Sequence, residues 1–154
     1  MQRKDIIEQV VAARLAHAKW VRRAKHLIEN MPVTSGMIPI DSTECEFGKW
    51  FYTEGLKYKN MPQLKAILDK IDRLHEEVHN IYLDIYKIYF VELKRSWLMS
   101  KILDGYKEPS LEQQKKAYRH YIQLEDVSVL LMKEFDLFER TLKNVEMKEL
   151  QKVL

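Results

Sequence analysis

The chain has 154 residues, 46% hydrophobic and 32% charged, and its 26 Lys+Arg against 23 Asp+Glu leave a formal net charge of +3, a size and balance that fit one soluble domain. Four Gly and four Pro are too few turn residues for a many-stranded sandwich or barrel, and a single Cys excludes an internal disulfide framework and points to a reducing, cytoplasmic setting. The densest basic groups, Lys19 to Lys25 and Lys115 to Arg119, sit in helical patterns as solvated faces, so no nucleic-acid footprint emerges; no apolar run reaches the ~18 residues of a membrane span, and the start Met-Gln-Arg-Lys-Asp has no signal-peptide pattern.

Residues 4 to 30 repeat apolar side chains at helical spacing. Ile6, Val10, Ala13, His17, Trp20, Val21, Ala24, Leu27 and Ile28 fall on one stripe, with His17 at its centre and His26 on the opposite face. Pro32 ends this helix, and Val33 to Ile40, holding Gly36 and Pro39, reads as a loop. Asp41 followed by Glu44 resembles a capping box and predicts a short helix from Ser42 to about Glu54, with Cys45 in its first turn and Gly55 closing it. A link of Leu56 to Asn60 leads to Met61-Pro62, with Pro at a first helical position. The stripe Leu64, Ile67, Leu68, Ile71, Leu74, Val78, Tyr82, Ile85, Tyr89 then predicts a helix running to about Leu103, with His75 and His79 on the flank of its apolar face. Asp104-Gly105 and Pro109-Ser110 mark the next turn. The last helix is predicted from Ser110 to about Lys148 on the heptad-like series Ala117, Tyr121, Leu124, Ser128, Leu131, Phe135, Phe138, Leu142. A second apolar row on it, Tyr118, Ile122, Val129 and Met132, either packs inside the same bundle or faces a second subunit. The expected fold is all-α: an antiparallel helical bundle of three long helices plus a short Cys-bearing helix, one domain over residues 1–154.

Chemistry concentrates in four residues. His75 and His79 are i and i+4 on one helix, so their rings project from adjacent turns and can converge on one ion. Such a pair is weak alone; its company is a histidine central on another apolar stripe and a lone Cys at a third helix's N-terminus. A buried neutral imidazole needs partners for both ring nitrogens. Zinc supplies one to each of three rings at about 2.0–2.1 Å, and a thiolate at about 2.3 Å completes the tetrahedron. The helix N-terminus and the metal should both favour the thiolate of Cys45. Four protein ligands leave no open position for substrate, so the site reads as structural or sensory and not hydrolytic. Carboxylates or carbonyls should orient the free ring N–H groups; Asp41, Asp72 and Glu76 are the nearest candidates by sequence, and nothing in the sequence selects among them.

The segments His17-Ala18-Lys19-Trp20, Cys45-Glu46-Phe47-Gly48-Lys49-Trp50 and Leu74-His75-Glu76-Glu77-Val78-His79 stand in the order of the chemoreceptor zinc-binding domain family, which the chain resembles over about residues 5 to 135. The Cys-x-Phe-Gly-x-Trp piece is the most specific. The resemblance implies zinc bound by His17, Cys45, His75 and His79, with Gly48 and Trp50 seating the short helix and Trp20 packing beside the site. Physical chemistry agrees, since Gly48 permits close approach of a neighbouring helix and each Trp buries a large apolar area. It further implies a homodimer that regulates a chemoreceptor signalling region or a cyclic-di-GMP synthase, by sensing zinc or oxidants through the zinc-bound Cys. No such output domain is attached here, so the chain is either a free-standing member acting on a separate protein or a domain excised from a longer one.

Three functions compete. The first is a zinc-dependent sensory or regulatory module in which metal loss or Cys45 oxidation releases the short helix. The second is an interaction or dimerisation bundle that zinc only staples. The third is an enzyme: Glu76-x-x-His79 fits half of a di-iron carboxylate pattern, but no second Glu-x-x-His exists, and no glycine-rich phosphate loop or nucleophile elbow is present. The expectation is a protein without catalytic activity. His26 and His120 stay outside the site, and the Tyr set at 82, 86, 89, 118 and 121 belongs to core or interface.

Overall fold

The computed structural model describes residues 2–29, 41–91, 105–106 and 108–152. Helix α1, Arg3–Ile28, opens with the Asp5 carboxylate accepting from the Gln2 amide at 2.7 Å and buries Ile6, Val10, Ala13, His17, Trp20, Ala24 and Leu27, the stripe the sequence periodicity marks. Helix α2 is Glu46–Thr53, and a 3₁₀ segment over Gly55–Asn60 fills the link to helix α3, Pro62–Tyr89, whose first residue is the expected proline. Two-residue strands β1, Phe90–Val91, and β2, Gly105–Tyr106, pair antiparallel. Helix α4 is Leu111–Asn144, and helix α5 is Met147–Gln151.

Three boundaries differ from the sequence reading. The short helix starts at Glu46 instead of Ser42, because Asp41 spends its carboxylate on the Thr43 amide and hydroxyl, each at 2.8 Å, and holds residues 41–45 in a turn. The third helix ends at Tyr89: Phe90 is extended and its strand partner is Tyr106. The expected continuation to Leu103, the loop at Val33 to Ile40 and the Asp104 turn lie outside the described residues. The last helix breaks at Val145, whose backbone is extended, whose side chain is buried and whose carbonyl accepts from the Arg3 guanidinium; α5 then returns Leu150 to the core.

Helix α4 is the common wall. It packs along α3 and along α1, whereas the backbones of α1 and α3 approach each other at few points. Arg3 reaches Val145, Arg14 pairs with Asp136 and Glu139, and His17 packs on Phe135, so contacts that advance along α1 recede along α4 and the two run antiparallel; Lys70 of α3 pairs with Glu134 of α4. The ring contacts His17–His75 and Trp20–Tyr82 advance together along α1 and α3, which are therefore parallel to each other. The whole heptad series of α4 from Ala117 to Leu142 is buried, each large apolar member contributing about 1.5–3 kcal/mol. Tyr118, Ile122 and Val129 of its second row are exposed, at 56%, 40% and 53%. No described helix is long and apolar enough to cross a membrane.

Candidate metal centre

His17, at the centre of the α1 stripe, projects toward α3 and is buried with its Nδ1 2.8 Å from the Ala13 carbonyl. A carbonyl only accepts, so Nδ1 carries the proton and the lone pair is on Nε2. That Nε2 is buried and has no hydrogen-bond partner, a state costing about 1–3 kcal/mol when nothing fills it. From α3, His75 and His79 stack in adjacent turns with ring centroids 4.7 Å apart, and the His75 ring lies 5.3 Å from that of His17. One ring nitrogen from each of the three lies within 4.8 Å of the other two.

The thiol reaches the cluster from α2. Cys45 is the N-cap of α2, one position before the first turn in which the sequence reading put it, and its Sγ accepts from the Gly48 amide at 3.1 Å and lies 3.3 Å from His75 Nε2. Bond lengths of about 2.0–2.1 Å to nitrogen and 2.3 Å to sulfur place a nitrogen and a sulfur on one tetrahedral zinc roughly 3.6 Å apart, and the Cys45–His75 spacing of 3.3 Å is within a few tenths of an ångström of that. The chemistry of the set, with three imidazoles and one thiol and an orphaned Nε2 facing inward, fits zinc and leaves no carboxylate in the group.

Two influences oppose each other at Cys45. Burial pushes the thiol up, while the Gly48 and Phe47 amides at the helix start lower it, as expected, by less. The helix start therefore favours the thiolate without offsetting burial, and a bound cation would add to its effect. His17 is held below the ordinary imidazole value by burial, and His75 is pushed down to about 2 by burial and then by the neighbouring His17 and His79. Neutral imidazole is the form a metal binds.

Of the three candidate carboxylates, Asp41 is exposed, accepts from Thr43 and also interacts electrostatically with His79; Asp72 accepts from Tyr52 Oη at 3.0 Å and Lys59 Nζ at 3.1 Å; Glu76, the residue after His75, turns about 100° away and is exposed. The orienting acceptor observed for His17 is the carbonyl one helical turn behind it. Trp20 packs beside the cluster, 4.1 Å centroid to centroid from His79 and edge-on. Trp50 is buried and packs against Phe47. At Gly48 the close approach is made by the Ser42 carbonyl, in the turn just before α2, and not by a neighbouring helix. His26 and His120 are outside the cluster.

Two residues missed in the sequence complete the surround. Phe47 lies edge-on to His75 at 4.9 Å, and Phe135 of α4 packs on both Phe47 at 5.0 Å and His17 at 6.0 Å. Phe47 stood inside the Cys-x-Phe-Gly-x-Trp segment and could have been named; Phe135 is one apolar heptad position among eight, with no local signal.

Residues 17–86 match the family model of the chemoreceptor zinc-binding domain. The match spans all three histidines and Cys45. No curated protein and no solved structure gave a significant match.

Proposed function

We propose that this chain, which carries a chemoreceptor zinc-binding domain over residues 17–86, is a cytoplasmic zinc-dependent regulatory module, one domain over residues 1–154, that couples zinc level or Cys45 oxidation to a signalling partner in chemotaxis or cyclic-di-GMP control. His17, Cys45, His75 and His79 are the proposed ligands. The carrying observation is the convergence of three buried imidazoles from two helices that otherwise share little backbone contact, with the half-buried Cys45 thiol of a third 3.3 Å from one of them. Zinc bound there supplies a charge that converts the Cys45 thiol to thiolate and ties α1, α2 and α3 at one point. Losing it leaves the orphaned His17 Nε2 buried and unties α2, a change a partner can read. The same closed donor set supports a regulatory and not a catalytic reading.

The test starts from metal-free protein purified without a His tag. Zinc is expected to bind at about one per chain and to raise the melting temperature, and partner binding should change at temperatures where both forms are folded. A chain that takes up no supplied zinc overturns the proposal. Partner binding that fails only when the fold melts would instead favour a zinc-stapled interaction module.

The exposed row Tyr118, Ile122 and Val129, with Leu111 in line N-terminal to it, supports a homodimer in which α4 meets a second copy. Ile122→Glu is expected to shift the sedimentation profile from dimer to monomer with the zinc content unchanged, because burying an unpaired carboxylate in that seam costs several kcal/mol; an unchanged profile removes α4 as the interface.

A further inference from the structure

Each side of the cluster is closed by a different kind of group. His75 is fully buried at the back, under Phe47. Phe135 closes the α4 side by packing on His17 and Phe47, and Trp20 lies against His79. What remains among the described residues is a cavity of about 30 Å³ that touches His17, Cys45 and His79, has Trp20 and Phe47 as walls, and ends at Ala16 and Glu46. Both of these are surface residues, Ala16 on α1 and Glu46 at the first position of α2. The cavity therefore connects three of the four proposed donors to solvent, through an opening whose α1 side is a single methyl group. A volume of this size admits one water-sized species, which suits a cation that has shed most of its hydration shell and excludes a chelator or a peptide.

We propose that zinc enters and leaves the cluster through this gap between α1 and the start of α2, with Ala16 as the gate and Glu46 as the attracting charge at its mouth. The proposal rests on the zinc-site reading above and adds how the ion reaches the site. The Glu46 side chain is 93% exposed, its carboxylate 3.6 Å from Lys49 Nζ, so one carboxylate oxygen remains to meet an incoming hydrated cation, and an acidic group at the rim of a low-dielectric opening raises the local cation concentration. Cys45, next in sequence to Glu46, lines the gap with His17 and His79, whereas the fully buried His75 does not reach it. Ala at position 16 keeps the passage open. A larger apolar side chain there would lie across the opening, and if it only blocks passage it changes the rate of exchange and not its equilibrium.

The experiment measures zinc release from the loaded full-length chain to a chromogenic chelator, and zinc uptake by the metal-free chain, in stopped flow. For Ala16→Leu both rates are expected to fall by about tenfold while the equilibrium affinity stays within about twofold, since affinity is their ratio. Ala18→Leu, on the opposite face of the same exposed helix, is expected to leave both rates unchanged. Glu46→Gln should slow uptake about threefold at low salt and match the unsubstituted chain at 1 M salt, where the charge is screened. Unchanged rates in Ala16→Leu with one zinc still bound overturn the route and leave the site reading standing. Faster release with weakened affinity also overturns it, because the substitution would then be disturbing the cluster itself. An unsubstituted chain that binds no zinc overturns both.

Discussion

Replacing His75 with leucine is expected to abolish stoichiometric zinc binding while leaving the metal-free fold at least as stable as before. His75 is fully buried, its Nε2 is 3.3 Å from the Cys45 thiol and its Nδ1 has no hydrogen-bond partner. Without metal the ring carries the desolvation cost of that unpaired polar atom, about 1–3 kcal/mol, and an apolar side chain of comparable size removes it. With metal the ring is one of four proposed donors, and losing a donor should weaken zinc by about a thousandfold or more, roughly 4 kcal/mol. The two effects have opposite signs, so metal analysis paired with thermal melts of both forms separates them. The zinc-loaded melting temperature of the variant should collapse onto its metal-free value, and that metal-free value should equal or exceed the unsubstituted one. A variant that keeps one tightly held zinc per chain would remove His75 from the ligand set.

Gly48→Ala is the second large effect, and it acts without replacing a donor. A Cβ on Gly48 would sit 1.7 Å from the Ser42 carbonyl oxygen, 2.9 Å from its carbon and 3.3 Å from Cys45 Sγ. The obstacle is backbone, so no side-chain rotation relieves it; the turn of residues 41–45 must move. That movement breaks the 3.1 Å bond from the Gly48 amide to Cys45 Sγ and withdraws the thiol from His75. The expected cost is about 3 kcal/mol or more, at the upper end of overpacking penalties, together with weaker zinc binding. Gly55→Ala is the contrast: its nearest neighbours are the Phe51 and Trp50 rings at 3.1 and 3.3 Å, which shift more readily, and a loss of under about 1.5 kcal/mol is expected. Denaturant melts of the two variants, with and without zinc, check the difference; equal losses would mean that the turn before α2 is more pliant than its geometry implies.

How much of this was legible in the sequence follows from which interactions are periodic. Every buried position of α1 lies on the stripe read from its 3.6-residue repeat, and the α4 series from Ala117 to Leu142 is buried throughout, because one-sided burial on a helix leaves a regular mark. His17 announced itself as the polar exception on such a stripe. The end of α3 was not legible: apolar residues continue past Tyr89, and the group that draws Phe90 into an extended conformation, Tyr106, lies on the far side of the next connection. The partner of the His17 ring is legible only as a class. A carbonyl was among the expected acceptors, but the one observed, that of Ala13, has no residue identity to mark it, since any residue in that position would present the same group. Nor could the sequence show that the thiol's burial outweighs the helix start, since the degree of burial depends on where Phe47 and α3 pack.

The position of α4 as the shared wall has a consequence for assembly. All four proposed donors have been synthesised by residue 79, with Trp20 and Phe47 beside them, yet the last wall of the site arrives only with Phe135. An emerging chain therefore displays a complete donor set before it owns an enclosed site, and zinc captured at that stage would be held by exposed, mobile groups with ordinary exchange. Enclosure comes when the last long helix docks antiparallel along α1 and α3 together. Firm retention of the ion is then expected only once α4 has docked, and this helix, which supplies none of the proposed donors, would set the moment at which the metal becomes hard to lose.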